Sequence, residues 1–543
     1  MSKRRTKLGE FKFLKNDVVG AADAEDDSLL LDCFVDTGDL SNLRNCADTR
    51  SIVVGRTGSG KTALLKMLTE TEEHSINVPP ESLSLAYISN SNILNFVSQL
   101  GVNLDIFYRL LWRHVFTVEI LKEHFQIVSE EAKRTFLQRI YDRFKDQKRQ
   151  KAIEYLETWG KQFWKETEYR IKEVTNKLET EIKASVDAKI PKFSFSLDGL
   201  SKLTEVEKGE IIQRSQEVVN KVQIRQLSDI IDLIDDILTD PQKKYFILID
   251  RLDEGWIEDR LRYKLIRALI ETVRDFRKVK YAKIVVSIRQ DLLDRVFRLV
   301  RSAGFQEEKY ESICLRINWT NQQLSEILDT RLNYLVKRRY TTRKVLFSDL
   351  FPKTINKQPT LQYILARVLG QPRDIIHFVN KCISQAVNKK QITVNLLRAA
   401  EGEYSRDRLR YLADEWYTDY PNLIDFVLML RKQPLRFSLD AFRLTTLEEN
   451  CLNYAISHEQ STSDYLSQMA CQVAYGNISA EDFRKQLFLV LYKVGVISLK
   501  IESYEKYFSS IGGRRSISSS EISDKAKIEI QPAFWRVLGI KRS

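Results

Sequence analysis

Cysteine and histidine are scarce in this sequence, and neither is clustered. The chain has six cysteines among 543 residues, with no Cys-x-x-Cys pair, and five histidines. This spacing argues against a disulfide framework or a zinc site, and it predicts reduced, mostly buried thiols of a cytoplasmic protein.

Long apolar runs are also absent. No stretch approaches 18 uninterrupted apolar residues, the length at which a membrane-spanning helix is expected. The basic start Ser2–Lys7 is not followed by an apolar region, which argues against a secretory signal. We therefore predict a cytoplasmic protein without membrane contact.

The rest of the composition fits a folded protein with more than one domain. Hydrophobic residues make up 43% and charged residues 29% of a chain too long for one ordinary core, so two to four domains are expected. The net charge of +12 leaves contact with nucleic acid open. The basic residues are, however, spread along segments that also carry 74 acidic residues, as on ordinary solvated helices.

Glycine is scarce too, yet three of the 19 glycines fall within Gly55–Thr62. This loop follows the apolar run Ser51–Val54 and precedes the helix-forming stretch Ala63–Leu68. A strand, a glycine loop and a helix start, in that order, make a phosphate-binding loop. The alternative is a glycine turn that matches by chance, and the flanking strand and helix weigh against it. The predicted nucleotide-binding residues are Gly55, Arg56, Thr57, Gly58, Ser59, Gly60, Lys61 and Thr62.

The residue types of the loop match the chemistry of bound ATP with Mg²⁺. Glycines let successive backbone N–H groups turn toward a phosphate, and the helix N-terminus adds the positive end of its dipole. Lys61 would reach the β- and γ-phosphates, and the hydroxyl of Thr62 would hold Mg²⁺.

A second stretch supplies carboxylates. Five consecutive apolar residues, Tyr245–Ile249, end at Asp250 and predict a buried parallel strand with a carboxylate at its carboxyl end, where ligands bind in open α/β sheets. Asp250 would then face Mg²⁺ through water, beside Thr62. Asp253 or Glu254 would polarise the attacking water. The alternative is a core strand followed by acidic turn residues.

A third buried strand is predicted at Ala282–Arg289. On the helix after it, Arg295, Arg298 and Arg301 are spaced three apart and share one face. That face is either solvated, which is the commoner case, or it offers an arginine to the γ-phosphate site of a neighbouring subunit. Further along, Pro372 fits the first turn of a helix, which places Arg373 at the exposed start of that helix.

Together these segments resemble the AAA+ and STAND branch of the P-loop ATPases, especially a bacterial group of uncharacterised P-loop ATPases. The resemblance is carried by the glycine loop, a long insertion and three short motifs. The motifs are Ile-Asp-Arg-Leu-Asp-Glu-Gly-Trp at 249–256, Val-Ser-Ile-Arg at 286–289 and Gly-Gln-Pro-Arg-Asp-Ile-Ile at 370–376.

The resemblance implies roles for three further residues. Ser287 and Arg289 correspond to the end of the sensor-1 strand, and Arg373 corresponds to the sensor-2 arginine that reports the γ-phosphate to the lid. The chain departs from the family pattern at Arg251, where relatives commonly carry an acid directly after the strand aspartate. The catalytic base is then displaced to Asp253 or Glu254, or it is absent, and rapid hydrolysis is in doubt.

The predicted fold is α/β, a P-loop NTPase parallel sheet with a long helical insertion, a helical lid and a C-terminal winged-helix-like domain. Charges dominate from about Ser129 to Ser185 and apolar residues recur at helical spacing, so the insertion is read either as an antiparallel stalk or as a stabilising helical lid. The predicted boundaries are 1–48 for an N-terminal arm, 49–124 and 223–318 for the ATPase core, 125–222 for the insertion, 319–403 for the lid and 404–543 for the C-terminal domain.

Three functions are compatible with these features. The first is an ATP-binding and slowly hydrolysing switch that recruits a protein partner or effector or assembles into a homo-oligomer, in bacterial signalling or antiviral defence. The second is a DNA-binding ATPase resembling origin-recognition or clamp-loading proteins. The third makes the insertion a rod for protein contacts, with ATP as a static ligand.

Overall fold

A computed structural model of the chain describes residues 11–80, 104–126, 231–232, 234–256, 259–299, 308–340, 344–458, 464–511 and 517–540, and the single residues 180, 205, 209 and 212. By their internal contacts these residues form two compact units. Where described, the sheet unit comprises residues 36–56 and 61–317, and the helical unit comprises residues 11–35, 57–60 and 318–543. Nearly all of the predicted insertion 125–222 lies outside the described residues.

The sheet unit is an α/β layer structure, as predicted. Its strands are β1 (Ile52–Gly55), β2 (His74–Asn77), β3 (Tyr245–Ile249), β4 (Ala282–Arg289) and β5 (Cys314–Arg316). Its helices are α1 (Asp39–Arg44), α2 (Lys61–Thr71), α3 (Asp105–His124), α4 (Asp259–Phe276), α5 (Gln290–Leu299) and α6 (Glu308–Glu311).

The five strands form one parallel sheet in the order β2-β3-β4-β1-β5. In this register Gly55 lies opposite Arg289, and Ile249 lies opposite Val286. Because the strands are parallel, the glycine loop after β1, Asp250 after β3 and Arg289 at the end of β4 all follow the same edge of the sheet. β4 lies between β1 and β3.

The strands β1, β3 and β4 are apolar runs because helices cover both faces of a parallel sheet. Every residue of β1 and β3 is buried; β3 has its predicted bounds, and β1 begins and ends one residue later than the predicted Ser51–Val54. Lys283 is a buried exception within β4. Its ammonium donates to the carbonyls of Asn42 and Asn45 at 3.0 and 2.8 Å, and so caps the C-terminal end of α1. Burial lowers the pKa of Lys283 to about 8.

The helical unit contains the remaining elements. Its helices are α7 (Asn321–Tyr340), α8 (Phe347–Leu350), α9 (Thr360–Leu365), α10 (Pro372–Gln385), α11 (Val394–Glu415), α12 (Leu423–Leu428), α13 (Leu444–Ser457), α14 (Tyr465–Ala474), α15 (Ala480–Val494) and α16 (Trp535–Leu538). Its strands are β6 (Thr354–Ile355), β7 (Gln358–Pro359), β8 (Arg436–Ser438), β9 (Ile497–Lys500), β10 (Phe508–Ser509) and β11 (Lys527–Ile530).

Residues 11–35 are part of the helical unit rather than a separate arm. Phe11, Phe13 and Val19 are buried in the same apolar core as α7, α9, α10 and α11. Arg331 on α7 donates to the carbonyl of Val19 at 2.8 Å and forms a buried ion pair with Asp27 at 2.6 Å. These contacts fix the segment on the helices, because a buried charge must be paired.

The C-terminal region differs from its predicted layout. A winged-helix-like domain would have two helices followed by a strand, a loop and a strand, whereas the structure also has α13 and α14, between α12 and α15. It also adds β8, which pairs with β11 in an antiparallel sheet of order β10-β9-β11-β8. The winged-helix-like assignment remains a prediction. Among the described residues, no helix has the length and apolar composition needed to cross a membrane.

Candidate functional site

The glycine loop takes the backbone conformation that its glycines allow. Gly58 and Gly60 have φ angles of +85° and +96°, on either side of Ser59. Left-handed backbone costs a residue with a Cβ about 1 kcal/mol or more, so glycine is favoured at both positions. The hydroxyl oxygens of Thr57 and Ser59 are buried and have no hydrogen-bond partner among the described residues. Glycines, backbone turns and unsatisfied hydroxyls fit a phosphate ligand.

Lys61 begins α2 and points back along the loop. Its ammonium donates to the carbonyls of Gly55 and Arg56 at 3.1 and 3.0 Å. Burial lowers the pKa of Lys61, and the nearby carboxylates of Asp250 and Asp253 oppose that shift. The amine is thus held inside the loop by uncharged carbonyl acceptors. A charged phosphate oxygen is a stronger acceptor and would take their place.

Thr62 and Asp250 are in direct contact. The hydroxyl of Thr62 donates to Oδ2 of Asp250 at 2.8 Å. One hydroxyl and one carboxylate, supplemented by phosphate oxygens and water, are the ligands with which proteins commonly bind Mg²⁺. The pair therefore fits the predicted metal site. The described residues contain no cluster of three or more His, Cys, Asp or Glu side chains that would hold a metal without such help.

Arg289 at the end of β4 is fixed by two carboxylates. It donates to both oxygens of Asp291 at 3.0 Å and contacts Asp253 at 3.3 Å. Asp253, one of the two predicted bases, is therefore engaged by the predicted sensor arginine. Ser287, two residues earlier on β4, has a buried hydroxyl without a hydrogen-bond partner in the described part of the chain.

Glu254, the other predicted base, lies in an exposed turn after β3. Its carboxylate is 3.6 Å from Arg251, and both side chains are about half exposed. Arg251 has a φ of +60°, an unusual conformation for a residue with a side chain. The buried Arg262 of α4 donates to the carbonyl of Glu254 at 2.8 Å and holds the turn in place.

Within the helical unit, loop residues 57–60 contact α10 and the segment before α7. The backbone N–H of Arg373 donates to the carbonyl of Gly58 at 3.3 Å. The indole N–H of Trp319 donates to the carbonyl of Ser59 at 2.7 Å. Pro372 is the first residue of α10, as predicted, because its fixed φ suits a first helical turn.

The side chain of Arg373 contacts the N-terminal segment. Its Nε donates to the carbonyl of Ala22 at 3.0 Å, and its Nη2 lies 3.8 Å from Asp23. The guanidinium is about one-third exposed. Arg373, the predicted sensor arginine, thus contacts the glycine loop through its backbone and an acidic turn through its guanidinium.

The candidate arginines of α5 have different surroundings. Arg295 donates to the hydroxyl of Tyr263 at 3.0 Å, whereas Arg298 is exposed near the end of the helix. Arg301 lies outside the described residues.

Sequence reasoning missed three residues that contact candidate site residues: Asp291 and Arg262 in the sheet unit, and Trp319 in the helical unit. The spacing Arg-x-Asp gave a weak signal for Asp291. Arg262 and Trp319 both act on backbone carbonyls, which no sequence pattern identifies.

Comparison with known proteins adds three kinds of likeness. Residues 322–413, from α7 through most of α11, match the family model of the FunZ-associated C-terminal helical domain. The chain is 22% identical over 545 aligned positions to the "Putative transposon gamma-delta 80.3 kDa protein" of Escherichia coli K12, covering 97% of this chain and 68% of that protein.

Two solved structures align over most of the chain, each at 10% identity. The Walker-type ATPase PABY2304 of Pyrococcus abyssi has a TM-score of 0.35, with 91% of this chain and 97% of that chain covered. The ORC2 protein of Aeropyrum pernix, in ADPNP–ADP complexes, has a TM-score of 0.30, with 96% and 93% covered.

Proposed function

We propose that this protein binds ATP with Mg²⁺ at Gly55–Thr62 and acts as a slowly hydrolysing, nucleotide-dependent switch. The observation that carries the proposal is the 2.8 Å contact of Thr62, in the first turn of α2, with Asp250 after β3, two residues that the sequence assigned to one metal ion. The left-handed glycines and the partly buried Lys61 support the same function.

Each group of the site has a defined task in this proposal. The loop amides and Lys61 would bind the phosphates, and Thr62 and Asp250 would hold Mg²⁺. The metal ion supplies positive charge that offsets the negative charge of the phosphates. Arg289 would report on the nucleotide from the end of β4.

The surroundings of the two acids favour slow turnover. Asp253 is bound to Arg289 at 3.3 Å, and Glu254 lies 3.6 Å from Arg251. In each acid an arginine lies at one of the two carboxylate oxygens and competes with water for that oxygen. We propose Glu254 as the water-positioning group, because it is the more exposed of the two.

Binding and hydrolysis test this proposal directly. Calorimetry with ATP and Mg²⁺ should detect binding to the wild type and to Lys66→Ala, a control on α2 outside the loop, but not to Lys61→Ala. Phosphate release should be slow in the wild type and fall at least tenfold in Glu254→Gln, with a smaller loss in Asp253→Asn. If Lys61→Ala binds ATP with wild-type affinity, the proposal is wrong.

The output of the switch is proposed to be recruitment of a protein partner or self-assembly into a homo-oligomer. Arg298 is the exposed member of the described arginine pair on α5, and it is our candidate for a residue acting on a neighbouring subunit. Its replacement by alanine should lower turnover at protein concentrations where particles assemble, and leave ATP affinity unchanged. A role in bacterial signalling or antiviral defence is part of the proposal, and the transposon in the name of the Escherichia coli relative is compatible with a link to mobile DNA.

A DNA-binding ATPase is the second candidate, favoured by the net charge of +12 and by exposed Lys337 near the end of α7. The helix before β9, α15, is less suited to bind the phosphates of DNA. α15 exposes Glu481 and Asp482, and its Arg484 is buried and paired with Asp524 at 2.8 Å. Binding to duplex DNA that weakens steeply with salt supports this candidate, and its absence at low salt rejects it.

A further inference from the structure

We infer that Trp319 is a positioning residue of the glycine loop: its indole holds the carbonyl of Ser59 so that the amide of Gly60 faces a bound phosphate. The inference rests on the proposed function and adds a residue outside the predicted motifs to the phosphate site. Its evidence lies within the helical unit, to which loop residues 57–60 belong.

The first step is the geometry of the peptide bond. In a trans peptide the C=O and the following N–H point in opposite directions. The indole N–H of Trp319 donates to the carbonyl of Ser59 at 2.7 Å, so the N–H of Gly60 is directed away from Trp319. The carbonyl of Gly58 accepts from the backbone N–H of Arg373, so the N–H of Ser59 is directed away from α10 in the same manner.

The second step is the packing of Arg373 and Trp319 against the two glycines, which is tight at Gly58 and an ordinary van der Waals contact at Gly60. A Cβ placed on Gly58 would lie 2.8 Å from the Cβ of Arg373, and one placed on Gly60 would lie 3.6 Å from the Trp319 ring. Consecutive N–H groups in backbone that includes left-handed residues form a concave anion site. Two carbonyls of this loop are thus held by Trp319 and Arg373, and the adjacent amides point away from these two residues.

The third step is what fixes Trp319 itself. Thr320 and Gln323 form a reciprocal cap at the start of α7. The backbone N–H of Thr320 donates to the Gln323 side chain at 2.9 Å, and the backbone N–H of Gln323 donates to the Thr320 hydroxyl at 3.2 Å. This pattern fixes the entry of the chain into the helix. The residue directly before the cap therefore has a defined position against the loop.

The test replaces Trp319 by phenylalanine, which keeps a ring and removes the N–H donor. Trp535→Phe is the matched control, since its indole donates to the carbonyl of Ile530 at the same 2.7 Å, within the same unit. Amide hydrogen exchange of the peptide covering residues 57–60 is measured in the nucleotide-free full chain. Exchange should be faster in Trp319→Phe and unchanged in Trp535→Phe.

Calorimetry with ADP and with ATP then gives the second readout. Trp319→Phe should weaken both nucleotides by the same factor, roughly three- to tenfold, because loop amides bind the phosphates that both share. Wild-type affinities in Trp319→Phe, together with unchanged exchange, overturn the inference. If the wild type binds neither nucleotide, the proposed function fails, and the exchange measurement alone decides whether Trp319 orders the loop.

Discussion

The hydroxyl of Thr62 donates a hydrogen bond to Asp250, a residue 188 positions further along the chain. The bond joins the first turn of α2 to the end of β3, although β4 separates β1 from β3 in the sheet. A hydroxyl and a carboxylate in contact before any ligand arrives are already placed at the separation that a shared cation requires.

Thr62→Val removes the hydroxyl while keeping the shape of the side chain. We expect ATP binding to lose most of its dependence on Mg²⁺. The ratio of the Kd in EDTA to the Kd in Mg²⁺ should fall by roughly 10- to 100-fold, the effect of losing even an outer partner of a metal site. Calorimetry in the two buffers measures it. Thr71→Val is the control, because that hydroxyl bonds the carbonyl of Met67 on the far end of α2. An unchanged ratio in Thr62→Val would contradict the metal assignment.

Gly58→Ala and Gly476→Ala separate backbone strain from a clash at the loop. Both glycines have positive φ, so each alanine should cost about 1 kcal/mol of folding free energy. Only the Cβ at Gly58 meets a neighbour, the side chain of Arg373 at 2.8 Å, whereas Gly476 has open space. Nucleotide affinity should therefore fall in Gly58→Ala and stay constant in Gly476→Ala. Equal affinities in the two variants would argue against contact between loop and α10.

Asp23→Asn should free the guanidinium of Arg373 for a phosphate. The two side chains lie 3.8 Å apart and are partly exposed, so the gain is small, roughly two- to fivefold in ATP affinity. ADP affinity should not change, because Arg373 is proposed to sense the γ-phosphate. Asp26→Asn, in the same exposed acidic turn, is the control. A gain of the same size for ADP would show a general charge effect instead.

Glu401→Gln should destabilise the helical unit by about 3 kcal/mol, because it leaves buried guanidinium charge uncompensated. Glu401 on α11 accepts from Arg367 at 2.5 Å, Tyr363 at 2.7 Å and Arg536 at 3.1 Å. Urea unfolding at pH 7 measures the loss. Glu403→Gln, a partly exposed position on the same helix, should change the unfolding free energy little.

The same carboxylate predicts a dependence on pH. Burial alone would raise the pKa of Glu401, but the charge and hydrogen bonds of Arg367, with help from Tyr363 and Arg536, hold it below its ordinary 4.5. The contribution of Glu401 to stability is therefore complete above pH 4.5, and it is lost as the pH falls through the lowered pKa that Glu401 has in the folded protein. The stability difference between wild type and Glu401→Gln should shrink on acidification in that window. A stability difference between the two proteins that does not change with pH would contradict this prediction.

Two strands of the sheet unit, β3 and β4, were predictable because they are buried on both faces, whereas the partly exposed β2 was not predicted. Tyr245–Ile249 and Ala282–Arg289 were predicted with their observed bounds, since a strand covered on both sides is a continuous apolar run. The loop Gly55–Thr62 was equally easy to recognise, because few residue types adopt the left-handed backbone of Gly58 and Gly60.

Short elements and contacts to the backbone were not predictable. β8 has three residues, too few for alternation to be recognised, and α13 carries Thr and Asn residues that weaken a helical pattern. The bonds of Trp319 and Arg373 end on carbonyl oxygens of Ser59 and Ala22, and any residue type has such an oxygen. Contacts of this kind are visible only once the chain is folded.

The buried pair of Arg331 and Asp27 has a consequence for synthesis of the chain. The two residues are 304 positions apart, so Asp27 leaves the ribosome long before its partner exists. At 5–20 residues per second the delay is roughly 15 to 60 s. During that time the segment with Phe11 and Phe13 has no core to enter, while all strands of the sheet are produced. The first-made residues therefore wait for a core whose helices leave the ribosome only after every strand of the five-stranded sheet.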